Sequence, residues 1–182
     1  MVDATRGGLN SDDKKALLAR KWGDIRFPNL ASYCSLFLRV CDLFPGEPLH
    51  MYKMDKEAWY RRIPVHVDDS PLSYFVIHID DYPHAVLPLG MTFGLQDSNY
   101  TANFAGSLVD EIVSHREHVS YGGRVSALYV DDTVGFLPPR LIPGEVEATT
   151  SLFESTCGAG VIKQSKTVLA PRGEVIGFTF DC

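Results

Sequence analysis

Two adjacent carboxylates stand where a hairpin should turn. The stretch Arg124-Val125-Ser126-Ala127-Leu128-Tyr129-Val130-Asp131-Asp132-Thr133-Val134-Gly135-Phe136 is two short runs rich in apolar, β-branched and aromatic residues with Asp131-Asp132 between them, the pattern of a pair of strands. A connection this short normally carries Asn-Gly, Asp-Gly or a similar pair that accepts positive φ. Neighbouring carboxylates repel each other and lack the freedom of glycine. A divalent cation that prefers oxygen ligands would neutralise both, which is how Mg2+ sites for phosphate chemistry are assembled. Asp-Asp also occurs at Asp12-Asp13, Asp68-Asp69 and Asp80-Asp81. Such pairs are most often solvated loop acids, so the tetrad Tyr129-Val130-Asp131-Asp132 takes its meaning from its surroundings.

The 182 residues, 45% of them hydrophobic, suffice for one domain or two small lobes sharing a core. No apolar run approaches the ~20 residues that span a bilayer, and Met1 to Asn10 lacks the apolar centre of a signal peptide. A soluble, intracellular protein without a membrane partner is expected. Cys34, Cys41, Cys157 and Cys182 form no Cys-x-x-Cys pair and no cluster with histidine, so they are read as reduced and mostly buried. Asn99-Tyr100-Thr101 matches a glycosylation acceptor but lacks the secretory context. A net charge of −6 disfavours a general nucleic-acid-binding surface. Acids that hold metals count in that total, and the basic residues cluster at Lys14-Lys15, Arg20-Lys21-Trp22 and Arg61-Arg62.

Tyr-x-Asp-Asp between two hydrophobic strands resembles the catalytic hairpin of reverse transcriptases, and further blocks of that family follow in its order. Arg20-Lys21-Trp22-Gly23-Asp24-Ile25-Arg26-Phe27-Pro28-Asn29 is similar to the fingers block, on and after a strand. Asp55 with Tyr60, Ile63, Pro64 and His66 falls in register with the first catalytic block. Phe93-Gly94-Leu95-Gln96-Asp97-Ser98-Asn99 is similar to the block that normally ends in proline, with Asn99 in that place. Gly160 to Thr167 is similar to the block ending in a lysine, here Lys166. Glu174-Val175-Ile176-Gly177-Phe178-Thr179-Phe180-Asp181 is similar to the primer-grip hairpin.

The resemblance implies a role for each position. Asp55, Asp131 and Asp132 would hold two Mg2+ ions (or Mn2+), with the backbone carbonyl of Lys56 as a further ligand, at the spacing of about 3.5–4 Å used for in-line phosphoryl displacement. Arg20 would meet the nucleotide's phosphates through a guanidinium fork. Tyr60 would lie under the sugar and exclude a 2′-hydroxyl. Gly94 and Gln96 would line the nucleotide site, Lys166 would act as general acid, if its pKa is lowered, or as electrostatic partner toward the leaving pyrophosphate, and Val175, Gly177 and Phe178 would grip the primer. The partners implied are an RNA or DNA template with its primer, and dNTPs. Asp24, Arg26 and Asn29 would brace the fold, and His66 is read as structural.

These residues need elements to position them. Periodicity and caps predict a helix from Ser11 to Lys21, an amphipathic helix from Leu30 to Phe44 facing inward through Leu30, Cys34, Phe37, Leu38, Cys41 and Phe44, and a strand around Met54. Two strands, 73–79 and 84–89, flank a turn at Asp80 to Pro83, whose acids are read as loop acids. A helix from Ser98 to about His115 is expected to bury Tyr100, Phe104, Leu108, Val109 and Ile112. The acidic hairpin follows, then a helix from Glu145 to Cys157 and a strand from Val161. Strand, helix, two strands, helix, strand is the order of a ferredoxin-like split βαββαβ sheet, the α+β class to which a polymerase palm belongs. That order alone puts Asp55 and Asp131-Asp132 on adjacent central strands.

By resemblance, 1–49 is a partial fingers subdomain, 50–66 the first catalytic strand of the palm, 67–96 the connection between fingers and palm, and 97–182 the palm ending in the primer grip. A thumb and a ribonuclease H domain are expected outside this chain, together with a recombinase or integrase of a longer polyprotein. Ile63-Pro64-Val65-His66 and the closing Val168-Leu169-Ala170-Pro171 to Phe178 stretch resemble retrotransposon enzymes, the DIRS-like group in particular. Two other readings compete: a palm-like remnant that binds RNA or protein without synthesis, and a generic ferredoxin-like interaction domain. The first would be expected to have lost an acid, and the second leaves three acids unexplained.

Overall fold

Six residues, His50–Asp55, form the strand β1 on which the larger of two units is built. The computed structural model describes residues 11–23, 27–68, 74–92 and 96–182. One unit comprises Arg26–Glu57 and Ala105–Cys182, the other Met1–Ile25 and Ala58–Phe104. The elements in chain order are α1 (Asp12–Trp22), α2 (Leu30–Leu43), β1, β2 (Phe75–Ile79), β3 (Tyr82–Val86), α3 (Gln96–Tyr121), β4 (Ser126–Tyr129), β5 (Asp132–Leu137), α4 (Ile142–Cys157), β6 (Val168–Ala170), β7 (Arg172–Val175) and β8 (Phe178–Asp181).

In the larger unit the sheet order is β4-β5-β1-β6, with every neighbouring pair antiparallel. This is the split βαββαβ sheet that the sequence order predicts. Met51, Tyr52 and Met54 of β1 and Val134, Phe136 and Leu137 of β5 are buried. Gly135 lies opposite Tyr52, and a Cβ there would overlap the Tyr52 ring. Only glycine lets that ring lie across the neighbouring strand.

Asn29 caps α2 by accepting from the Ser32 N–H at 3.0 Å while Ser32 Oγ accepts from the Asn29 N–H at 3.2 Å, a reciprocal capping box. Its inward stripe is Tyr33, Leu36 and Val40. The expected face is therefore rotated: Leu38 is 63% exposed and Cys34 is exposed. Phe37 still reaches the core, edge-on to Phe136 at 5.2 Å. In α3 the buried positions include Ala102, Val109, Val113 and Glu117, while Phe104, Leu108 and Ile112 are about half exposed. Both helices carry apolar residues on more than one face, so periodicity finds the helix without choosing its buried side. None of the four cysteines is buried.

Two buried acids fix the far end of α3. Glu117 accepts hydrogen bonds from the Val125 N–H (2.9 Å), the Ser126 N–H (3.3 Å) and the Ser126 hydroxyl, and desolvation pushes its pKa up. Glu145 of α4 accepts from Arg116, from the Tyr121 hydroxyl at 2.9 Å and from Thr149 at 2.9 Å. Arg124 pairs with Asp110. The start of β4 is thereby tied to α3 before the acidic turn begins.

The closing strand departs from expectation. Val161 and Ile162 are buried beside the end of β1: the Glu57 N–H donates to the Val161 carbonyl (2.7 Å) and the Lys163 N–H to the Asp55 carbonyl (2.8 Å). The polar run Gln164–Lys166 then makes a 3-10 turn, and β6 starts only at Val168. β7 and β8 form a hairpin closed by Ile176 and Gly177, both with positive φ.

In the smaller unit, a 3-10 turn Trp59–Arg62 follows the left-handed Ala58. Pro64 bridges Gly90, and β2 pairs with β3. The turn between them is two residues, Asp80 and Asp81, at φ 50° and 65°, tighter than the turn at Asp80 to Pro83 that the sequence suggested. Expectations at Ser73, Asp24 and Arg26 lie outside the described residues. No helix among the described residues is long and apolar enough to cross a membrane.

Candidate active site

The antiparallel register of β1 and β5 sets Asp55 opposite Asp132, and that of β4 and β5 sets Tyr129 opposite Asp132. Val130 and Asp131 are what remains, a two-residue loop. Three carboxylates therefore meet at one end of the sheet. Val130 has φ 55°, a left-handed conformation that a β-branched residue adopts only at a cost of about 1–3 kcal/mol. Lys56 holds it there. Its backbone N–H donates to the Asp131 carbonyl at 3.0 Å, and its Nζ donates to the same carbonyl at 3.2 Å and to Thr133 Oγ1 at 3.1 Å.

The Lys56 side chain is 2% exposed, with Nζ 4.5 Å from the centre of the Phe153 ring. Burial lowers its pKa to about 8, against the pull of Asp110, Asp131 and Asp132. Sequence reading gave Lys56 only a backbone role. The one available signal was a lysine placed directly after an apolar strand and an acid, where its ammonium can fold under the turn.

Lysines also hold two of the carboxylates. Lys53 Nζ lies 2.6 Å from Asp132 Oδ2, and Lys166 Nζ lies 3.1 Å from Asp55 Oδ2. Lys166 thus lies against Asp55, and its pKa is raised, through the hydrogen bond to Asp55 and that residue's charge. The lowered value expected of a general acid is not found, because Lys166 stays exposed and meets a carboxylate. Asp131 is also shifted upward, first by desolvation and then by the charges of Asp132 and Asp55. A cleft of about 400 Å3 beside these groups is lined by Met51, Lys53, Asp55, Lys166, Val168 and Glu174.

Carboxylate oxygens suit a hard divalent cation in type, and Asp132 Oδ1 is buried without a hydrogen-bond partner, an orphaned acceptor of the kind an ion satisfies. Among the described residues, however, no group of three His, Cys, Asp or Glu side chains is arranged to hold a metal ion. The donors fit in kind, and in the free chain ammonium groups occupy two of the three carboxylates.

The remaining expected residues fall elsewhere. In the larger unit Val175 is buried at the end of β7, Gly177 lies in the turn, and Phe178 opens β8, 47% exposed. In the smaller unit Tyr60 sits in the 3-10 turn and donates its hydroxyl to Asn99 Oδ1 at 2.8 Å. Arg20 is exposed in the last turn of α1, a helix where the family block has a strand. Gln96 is the first residue of α3, and Gly94 lies outside the described residues.

No protein-family model matches the sequence, and no curated protein matches it. Solved structures do share the fold. An apo telomerase from Candida tropicalis truncated from its C-terminal domain aligns with a TM-score of 0.59 at 12% identity over 97% of this chain and 43% of its own. Apo telomerase from the same organism gives 0.60 at 14% identity over 97% of this chain and 39% of its own. Telomerase from Candida albicans in complex with a TWJ fragment of telomeric RNA gives 0.52 at 15% identity over all of this chain and 34% of its own. The chain spans less than half the length of each. It has the mixed α+β, polymerase-like fold found in telomerase, the architecture also implied by the likeness of its sequence blocks to reverse transcriptases.

Proposed function

We propose that this chain is the fingers and palm part of a reverse transcriptase from a retroelement polyprotein, which copies RNA into DNA by two-metal nucleotidyl transfer. The observation that carries the reading is the register of β1 against β5, which sets Asp55 opposite Asp132 with Asp131 in the adjoining turn. Divalent ions held by Asp55, Asp131, Asp132 and the Lys56 carbonyl would neutralise the triphosphate and favour ionisation of the primer hydroxyl. In the reaction the 3′-oxygen of the primer bonds to the α-phosphorus of a dNTP while the bond to pyrophosphate breaks. Lys166, held protonated by Asp55 in the free chain, would serve as an electrostatic partner for the departing pyrophosphate. Lys56 fixes the carbonyl of Asp131 and so the turn that carries its carboxylate.

By the resemblance of its block to the first catalytic block of reverse transcriptases, Tyr60 would meet the sugar of the incoming nucleotide. Tyr60→Ala should admit ribonucleotides, and a variant that still excludes them removes that assignment. A second reading, a palm-like module that binds RNA or protein without synthesis, draws on the lysines occupying Asp55 and Asp132.

Primer extension on an RNA template with dNTPs and Mg2+, beside Asp131→Asn, tests both. Extension by the parent chain and none by the variant supports the polymerase. Failure of both, with no stabilisation by Mg2+ on heating, favours the binding module.

A further inference from the structure

Lys53 precedes Asp55 by two residues on β1, so both side chains project from the same face of the sheet. Its register partner on β5 is Val134, and its side chain reaches along the partner strand to Asp132, the diagonal neighbour on that face. The resulting contact, 2.6 Å with side chains 30% and 21% exposed, adds little to fold stability, since pairs open to water contribute roughly 0.2–1 kcal/mol. Its position is more telling. Lys53 engages one oxygen of Asp132 while the other is buried and unpartnered. It also lines the cleft that Asp55 and Lys166 share. Two ammonium groups thus sit on two of the three carboxylates read as cation ligands, and no ready-made three-carboxylate group is present among the described residues.

We infer that Lys53 is a positioning residue that serves as the internal counter-ion of Asp132 and must leave it when a divalent cation binds. It therefore sets the ion concentration at which the centre fills. Lys53 and a cation draw on the charge of the same carboxylate, so each lowers the occupancy of the other. In the free chain the pair shields Asp132 from the repulsion of Asp55 and Asp131, and on ion binding the cation takes over that task. The inference rests on the reading of Asp55, Asp131 and Asp132 as ligands.

The test measures Mn2+ binding to the purified chain without nucleic acid, from the paramagnetic resonance signal of free Mn2+. Lys53→Met should bind about two- to tenfold more tightly than the parent, the equivalent of a partly exposed ion pair no longer opposing the cation. Lys53→Arg, which keeps the charge, should stay close to the parent. Arg140→Gln is the control for lost positive charge: Arg140 pairs with Glu47 beyond the opposite end of the same two strands, and its loss should leave binding unchanged. A merely structural lysine would weaken binding or leave it alone when removed, so unchanged or weaker binding by Lys53→Met overturns the inference. Equal tightening by Arg140→Gln overturns it as well. Asp131→Asn and Asp132→Asn decide the underlying reading separately: parent binding that survives both substitutions places the ion elsewhere, and absence of binding in the parent and in Lys53→Met overturns reading and inference together.

Discussion

In the β2–β3 hairpin Asp80 and Asp81 fill both loop positions at positive φ, and both acids and their flanking strands are exposed. In the β4–β5 hairpin the acid pair is displaced by one position. Asp131 is the second loop residue and Asp132 the first residue of β5. The first arrangement is comfortable, because aspartate tolerates the left-handed region and water solvates both carboxylates. The second forces Val130 into that region and crowds three acids at the end of one sheet. A shift of one residue turns a solvated turn into a candidate site, since only an acid on the strand itself can stand opposite Asp55. Lysines accompany the second hairpin: Lys53 on Asp132, Lys56 beneath the turn, Lys166 on Asp55.

The largest expected difference between the hairpins is catalytic. Asp131→Asn should reduce primer extension by on the order of 1,000-fold, as loss of a group that stabilises transition-state charge does, whereas Asp81→Asn should stay within about twofold. Next comes anchoring. Lys56→Ala removes the packing against Phe153 and leaves the Thr133 hydroxyl without this donor, so urea unfolding should show a loss of about 2–4 kcal/mol. Asp81→Ala should cost under about 0.5 kcal/mol.

A smaller contrast tests strain. Val130→Gly relieves the left-handed valine at the expense of chain entropy and should gain up to about 1 kcal/mol, against a few tenths for Asp80→Gly. The smallest effect is in pH. Because Asp131 binds its proton more tightly in the folded chain than its ordinary 3.8, ionising it opposes folding. Its stabilising protonation is full below that value and lost as pH rises through the raised one. Asp131→Asn should therefore melt slightly higher than the parent at neutral pH, with the gap closing as the pH falls below about 4. A gap that widens on acidification would contradict the direction of the shift.

Much of this was legible beforehand. The order of elements, the hairpin and the placing of Asp55 and Asp131-Asp132 on adjacent strands follow from alternation, helical periodicity and the βαββαβ order. The lysines were not. Lys53 draws no reading and Lys56 only that of a backbone ligand, because Thr133, Asp131 and Phe153, which surround the Lys56 ammonium, are distant in sequence. The buried faces of α2 and α3 escaped for a related reason: Leu38, Phe104, Leu108 and Ile112 are as apolar as the residues that packed inward, and only the sheet decides between them. The late start of β6 hides in the same way, since Val161-Ile162 pairs with the end of β1 before a polar turn intervenes.

The central place of β1 has a consequence for how the molecule assembles. Lys56 meets Thr133 across 77 residues of chain, and Asp55 meets Lys166 across 111. Contacts so distant in sequence form slowly, because loop closure must precede any gain from pairing. During synthesis Asp55 emerges long before either partner strand exists, and its strand, apolar through Met51, Tyr52 and Met54, waits without a neighbour on either edge. The pairing that gathers the acids can form only after β5 has left the ribosome, and the sheet is complete only with β6. The nascent chain thus carries an unpaired, aggregation-prone strand until β5 and β6 emerge, and productive folding depends on how well that strand is shielded in the interval.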